Sequence, residues 1–279
     1  MNLQTAERIL PRLPHPSAAP EPINRRLICL PHSGSGRTGY RPWPALLPAD
    51  TQVRVWVPAG REHRIDEAPC ADPDRAVTEL AHALLSLDPL PYTLFGHSMG
   101  AMAAFALTVR LAAHGGPLPH RLLLSGADAP GAARRPELHR GSDQDLVDWL
   151  GRLGATPAEL LRDPIALRLF LPAIRADLAV AAGCAAAGRH APPVPVPLLA
   201  LRGAEDATTT AAGTERWRRH TTAGMRHVTL PGGHFFPQEQ TAALLGLVRA
   251  ALPPAISTVS PVPAALAAPA ARREPAATA

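Results

Sequence analysis

Ser98 stands in Gly96-His97-Ser98-Met99-Gly100, the G-x-S-x-G spacing that presents a serine on a sharp turn between a strand and a helix. A serine hydroxyl is a poor nucleophile until a base takes its proton, so this spacing calls for a histidine and an acid further along. His234, in Gly232-Gly233-His234, follows the last apolar run of the chain, where flexible backbone can bring an imidazole to the serine. Twelve histidines occur in all, so a surface-loop histidine is the competing reading of His234, and position decides for the base. His97 is expected to pack beside the nucleophile. The acid has two candidates: Asp206 follows an apolar run and a glycine turn at Gly203, and Asp128 follows the earlier run Leu122 to Ser125. Asp206 is favoured because it falls between Ser98 and His234, the nucleophile–acid–histidine order of α/β-hydrolases. Its neighbour Glu205 reads as a solvated side chain. The acid would hold His234 in one tautomer and stabilise its imidazolium. Two backbone N–H groups are needed for an oxyanion hole: Met99 supplies one, and Ser33, in the loop after the first strand, is expected to supply the other. His32, in the glycine loop, is expected to touch substrate or to orient the loop, and Met99 and Met102 to line the pocket or to lie in the core.

Such a serine needs a strand before it and a helix after it, and both are legible. Tyr92 to Phe95 reads as a short buried strand, and a small-residue helix starts at Ala101 and runs to about His114. Further strands are expected at Arg26–Pro31, Thr51–Val57, Arg121–Ser125, Pro197–Leu201 and Arg226–Pro231. Helices fall between them: a short one within Tyr40–Leu47, and one opened by Asp72 as N-cap with Pro73 in its first turn. That second helix carries Val77, Leu80, Ala81, Leu84 and Leu85 on one face. Another covers Thr214–His220, and a last one ends at about Leu252. This alternation predicts an α/β fold, a mostly parallel sheet with helices on both faces, and every candidate group lies at the carboxyl end of a strand, where such sheets hold their active sites.

From Pro130 to about Val194 no strand interrupts. Leu146, Trp149, Leu150 and Leu153 suit one helix, Asp163–Leu171 a second and Arg175–Ala187 a third, predicting an α-helical lid inserted over Ser98. Residues 1–24 are proline-rich and read as a loosely attached, flexible leader. Residues 253–279 form an Ala/Pro tail with too few large apolar groups to fold, so a single domain over 25–252 is expected.

Composition removes several other chemistries. All 28 basic residues are arginine, and the absence of lysine excludes P-loop and Schiff-base mechanisms. A net charge of +5 is spread without a basic run, and aromatic residues make up only 4%, so nothing supports a nucleic-acid partner. Cys29, Cys70 and Cys184 have neither disulfide-framework nor zinc spacing. No secretory signal opens the chain, and no uninterrupted apolar run has membrane-spanning length, so a cytoplasmic monomer away from membranes is expected. Gly34-Ser-Gly-Arg-Thr-Gly39 matches the G-x-G-x-x-G of dinucleotide sites. Pro42 and Pro44 interrupt the helix such a site requires, and Val57-Pro-Ala-Gly60 lacks its acid, leaving only Arg61 as a group that could read a 2′-phosphate.

Taken together, Pro31-His-Ser-Gly-Ser-Gly36, Tyr40 with Trp43, Gly60-Arg-Glu-His-Arg64, Gly96-His-Ser-Met-Gly100, Ser125-Gly126 with Ala129-Pro130, Leu171-Pro-Ala-Ile-Arg-Ala-Asp177, Gly203 with Asp206, and Gly232-Gly-His-Phe-Phe236 resemble the type II (editing) thioesterases of polyketide and non-ribosomal peptide synthetases. The resemblance spans about Arg26 to Leu252. Two departures are visible: Pro58-Ala-Gly-Arg61 stands where Pro-Gly-Arg is usual, and Ser33 where alanine is commoner. The resemblance implies an α/β-hydrolase that removes acyl groups from the phosphopantetheine arm of acyl or peptidyl carrier proteins through an acyl-Ser98 intermediate. It implies no metal and no bound cofactor, since the substrate brings the phosphopantetheine itself.

Overall fold

The computed structural model describes residues 1–16, 22–132 and 137–255. In chain order the elements are α1 (Leu3–Ile9), β1 (Arg25–Leu30), α2 (Trp43–Leu46), β2 (Thr51–Val55), α3 (Pro73–Leu85), β3 (Tyr92–His97), α4 (Met99–Ala113) and β4 (Arg121–Ser125). They continue with α5 (Asp143–Leu153), α6 (Ala158–Arg162), α7 (Pro164–Gly188), β5 (Leu198–Gly203), α8 (Ala211–Glu215), β6 (Met225–Leu230), α9 (Phe236–Glu239) and α10 (Thr241–Ala251). The six strands form one sheet in the order β2-β1-β3-β4-β5-β6, every neighbouring pair parallel. Its strands are nearly continuous in large apolar residues because both faces are covered. Period-two alternation sorts them: Ile28, Leu94, Leu122 and Leu124 join a core with Leu80 and Phe105, from α3 and α4. Leu27, Cys29, Phe95 and Leu123 point the other way, into a core with Leu244 and Val248 of α10. The sheet reverses its direction of growth between β1 and β3, and the crevice of a doubly wound sheet opens at such a switch point.

Asp72 caps α3 as expected, its carboxylate accepting the Asp74 and Arg75 N–H groups. The helix expected over Thr214–His220 starts earlier, at Ala211, and continues from Arg216 to His220 as a 3-10 turn.

The amino-terminal segment differs from expectation. Instead of a loose leader, residues 1–16 are docked: Ala6, Ile9 and Leu10 are fully or almost fully buried. Beyond α1 the chain runs along the outer edge of β2, with Val57 donating to the Ile9 carbonyl at 2.9 Å and Leu13 donating to the Val53 carbonyl at 2.9 Å. An unpaired sheet edge is a liability for any β protein, and this segment covers it. Prolines at the margins of such a segment are compatible with an edge position. Leu10→Ala is therefore expected to cost about 2–5 kcal/mol of stability in a denaturant melt, the usual cost of emptying a buried leucine site. A loose leader would show no change.

The helical region also differs from expectation. The two helices expected either side of Pro172 are one, the 25-residue α7, which runs through that proline. Proline removes one helical hydrogen bond, and packing on both sides offsets the loss. Leu171 and Ile174 join Leu146 and Leu150 of α5 in a small separate core, whereas Val180 and Cys184 lie in the main core beneath α4. The separate helical core thus ends near Ile174. The second half of α7 is the crossover helix between the parallel strands β4 and β5, so the insertion is shorter than the expected 130–194. By length and composition α7 could cross a membrane, but its carboxyl half is a core helix and it carries a buried charge at Asp177. Of the expected tail, all but residues 253–255 lies outside the described residues, as do residues 17–21 of the expected leader.

Candidate active site

The turn from β3 into α4 holds Ser98 at φ 56°, ψ −114°, a backbone conformation that non-glycine residues seldom occupy. Its N–H donates to the Ser125 carbonyl at 2.8 Å, anchoring the turn to β4. The two flanking glycines are required by close approach. A side chain at Gly96 would collide with the Gly100 carbonyl, and one at Gly100 would collide with the carbonyls of Leu30 and Pro31. The start of α4 therefore lies directly on the end of β1, and the loop after β1 is brought beside Ser98.

Three side chains from three strand ends meet there. Ser98 Oγ is 3.0 Å from His234 Nε2, and His234 Nδ1 is 3.0 Å from Asp206 Oδ2. Thr208, which carries no catalytic signature in the sequence, completes the arrangement. Its hydroxyl and N–H both donate to Asp206 Oδ1, at 2.7 and 2.8 Å, and its Oγ1 lies 2.9 Å from His234 Nδ1. Because the threonine proton is spent on Asp206, Nδ1 must carry the hydrogen and share it between Asp206 and Thr208. That tautomer leaves Nε2 as the acceptor facing the serine hydroxyl. Burial on its own would raise the Asp206 carboxyl, but the hydrogen bonds from His234 and Thr208 and the charge of His234 outweigh it and hold the group at about 2.

The rival acid is elsewhere. Asp128 accepts the N–H of Thr210 at 3.0 Å, at the start of α8 and away from His234. Glu205 is not merely solvated, since it accepts the Gly232 N–H and so ties the acid-bearing turn to the histidine-bearing one. His97 is buried with Nδ1 3.0 Å from Ser125 Oγ, and its ring packs 5.0 Å from that of His234. Burial, followed by the neighbouring His234 charge, holds His97 well below the usual histidine range, so it stays neutral.

Met99 opens α4, where the first N–H groups of a helix lack internal partners and carry its partial positive charge. Ser33 lies in the loop seated against that helix start. Among the described residues neither N–H donates to another protein group. His32 donates from Nδ1 to the Ser33 carbonyl at 3.0 Å, and its ring stands 5.0 Å from Phe235 and 5.9 Å from His97. Burial, which the Ser33 carbonyl only partly offsets, lowers its pKa to about 4. Met102, expected at the substrate, is a core residue: it is 5% exposed and belongs to the cluster beneath α3 and α4. Ten of the fifteen positions of α4, Met102 among them, are buried. Among the described residues no three His, Cys, Asp or Glu side chains are grouped as a metal would require.

The family model for the thioesterase domain matches residues 25–252. A probable cadicidin biosynthesis thioesterase of Streptomyces griseus is 34% identical over 251 residues, which cover 90% of this chain and 67% of that protein. The solved structure of BorB, a type II thioesterase from the borrelidin biosynthetic cluster, is 33% identical and superposes with a TM-score of 0.75 over 87% of this chain and 97% of that one. YbtT, a type II thioesterase from the yersiniabactin NRPS/PKS pathway, is 25% identical with a TM-score of 0.75 over 86% and 96%.

Proposed function

Because the chain belongs to the thioesterase domain family and has the α/β-hydrolase fold, we propose that it hydrolyses acyl groups from phosphopantetheinyl carrier proteins of a polyketide or non-ribosomal peptide synthetase, with Ser98 as nucleophile. The observation that carries this reading is the unbroken line Ser98–His234–Asp206, with 3.0 Å at each step. His234 Nε2 takes the Ser98 proton as Oγ bonds to the thioester carbonyl carbon. The carbonyl oxygen becomes an oxyanion, facing the N–H groups of Ser33 and Met99. When the tetrahedral intermediate collapses, the C–S bond breaks and the imidazolium returns the proton to the departing phosphopantetheine sulfur. His234 then draws a proton from water, whose oxygen attacks acyl-Ser98, and the carboxylic acid leaves as the serine regains its hydrogen. Asp206 keeps Nδ1–H oriented and stabilises the imidazolium in both halves. The steps as drawn use only side chains and backbone of this chain, and we infer a monomer that takes no cofactor of its own and works beside its synthetase in the cytoplasm.

The test is turnover of acyl groups loaded on the phosphopantetheine of a carrier protein, over a panel of chain lengths, followed by mass spectrometry of the carrier. Free carboxylic acid and regenerated carrier thiol are expected. Cleavage of simple aryl esters alone would point to a general esterase. Carrier binding without turnover would point to a non-catalytic module.

A further inference from the structure

The loop that bears Ser33 is gripped from outside the triad. Arg61, in the loop after β2, donates from Nη1 and Nη2 to Asp177 Oδ2 and Oδ1, both at 2.7 Å. Asp177 lies in the carboxyl half of α7, and both groups are buried, at 8% and 3% exposure. The same two side chains also hold the loop backbone. Asp177 Oδ2 accepts the Gly34 N–H at 2.7 Å, and Arg61 Nη1 donates to the Ser35 carbonyl at 3.0 Å. The next residue, Glu62, accepts the Arg37 N–H and Arg37 Nε, both at 2.6 Å. Glu62 does so from φ 49°, and with Ser98 it is one of the two non-glycine residues described with positive φ. Strain of that kind persists where the surroundings over-determine the backbone, and it gathers at functional sites.

A buried ion pair is weak support for stability, because apolar replacements of similar volume often fold as well or better. Its fixed bidentate geometry is a better account of why it is here. We propose that Arg61 and Asp177, with Glu62, are positioning residues that hold the Ser33 N–H in its oxyanion-binding place and tie that place to α7. The inference rests on the oxyanion role given above to Ser33. It assigns Arg61 to loop positioning in place of the 2′-phosphate contact that the sequence left open.

The test compares Asp177→Asn and the double variant Arg61→Leu/Asp177→Leu with wild type. Each is assayed for kcat and KM on an acyl-carrier thioester, and for binding of an acyl trifluoromethyl ketone, which forms an oxyanion on reaction with serine. A misplaced donor predicts that kcat falls about ten- to a hundredfold. KM stays within about threefold, and inhibitor affinity falls in parallel with kcat/KM. A role in folding alone would move the melting temperature and leave these ratios unchanged. The proposal is overturned if a folded double variant keeps kcat within about threefold of wild type, if the loss lies only in KM, or if inhibitor affinity is unchanged. Should both variants fail to fold, Glu62→Ala decides: it leaves the buried pair intact, and an unchanged kcat would overturn the proposal. If wild type releases no acyl group from a carrier, it is the substrate reading that fails. The positioning role is then read on an aryl ester, where the same oxyanion forms.

Discussion

Ser98→Ala is expected to reduce turnover of an acyl-carrier thioester by about a millionfold, the scale seen when a serine nucleophile is deleted from a triad that acts as a unit. The residue occupies φ 56°, ψ −114° between a strand and a helix whose contacts do not involve its hydroxyl, apart from the one to His234. Alanine keeps the same backbone demand, and the anchor from the residue-98 N–H to the Ser125 carbonyl is untouched. Stability should therefore change by no more than about 0.5 kcal/mol, the range of substitutions that disturb no packing or buried partner. Carrier binding should survive, so the variant would accumulate an acyl-carrier complex instead of free acid. The measurement is single-turnover release of acid, with intact-mass analysis of the enzyme. Wild type should pass through a species heavier by the acyl group, and the alanine variant should not. Retention of even a hundredth of wild-type activity would remove Ser98 from the nucleophile's role.

How much of this was legible in the sequence depended on whether the cause was local. The elbow is local: glycines two residues either side of Ser98, an apolar strand before and a small-residue helix after. The structure turns each of these into a steric requirement at Leu30, Pro31 and Gly100. The six strands are legible for the same reason, since burial on both faces leaves short unbroken apolar runs in the chain. What was not legible came from distant contacts. Residues 1–16 look like a proline-rich leader until the open edge of β2 is known to need a cover. Helix α7 looks like two helices until the packing on either side of Pro172 is visible. Thr208 is an ordinary residue in a Thr-rich stretch, and only the fold brings it between Asp206 and His234. Arg61 and Asp177 are 116 residues apart in the chain. Their motifs marked them as family-like without indicating that they touch.

The second large effect separates the two aspartates. Asp206→Asn is expected to lower kcat by about ten-thousandfold, because an asparagine amide facing Nδ1 favours the tautomer with hydrogen on Nε2, which cannot accept the serine proton. Thr208 sharpens the argument. Its hydroxyl donates to Asp206 Oδ1, and an asparagine that turned its NH2 toward Thr208 to spare the histidine would lose that acceptor. Asp128→Asn, by contrast, leaves an amide oxygen able to accept the Thr210 N–H, and activity should stay within a few-fold of wild type. Equal losses from the two substitutions would mean that the triad has been drawn with the wrong acid. The same carboxylate gives a pH signature in stability. Its folded pKa of about 2 lies below the roughly 3.9 of an unfolded aspartate, so the charged form contributes stability above about pH 4. That contribution is lost as pH falls from about 4 toward 2, where the folded-state group takes up its proton. The stability gap between wild type and Asp206→Asn should therefore narrow between about pH 4 and 3, read from denaturant melts at each pH. A gap that stayed constant into that acid range would mean the Asp206 carboxylate is not held by His234 and Thr208 in the way the geometry requires.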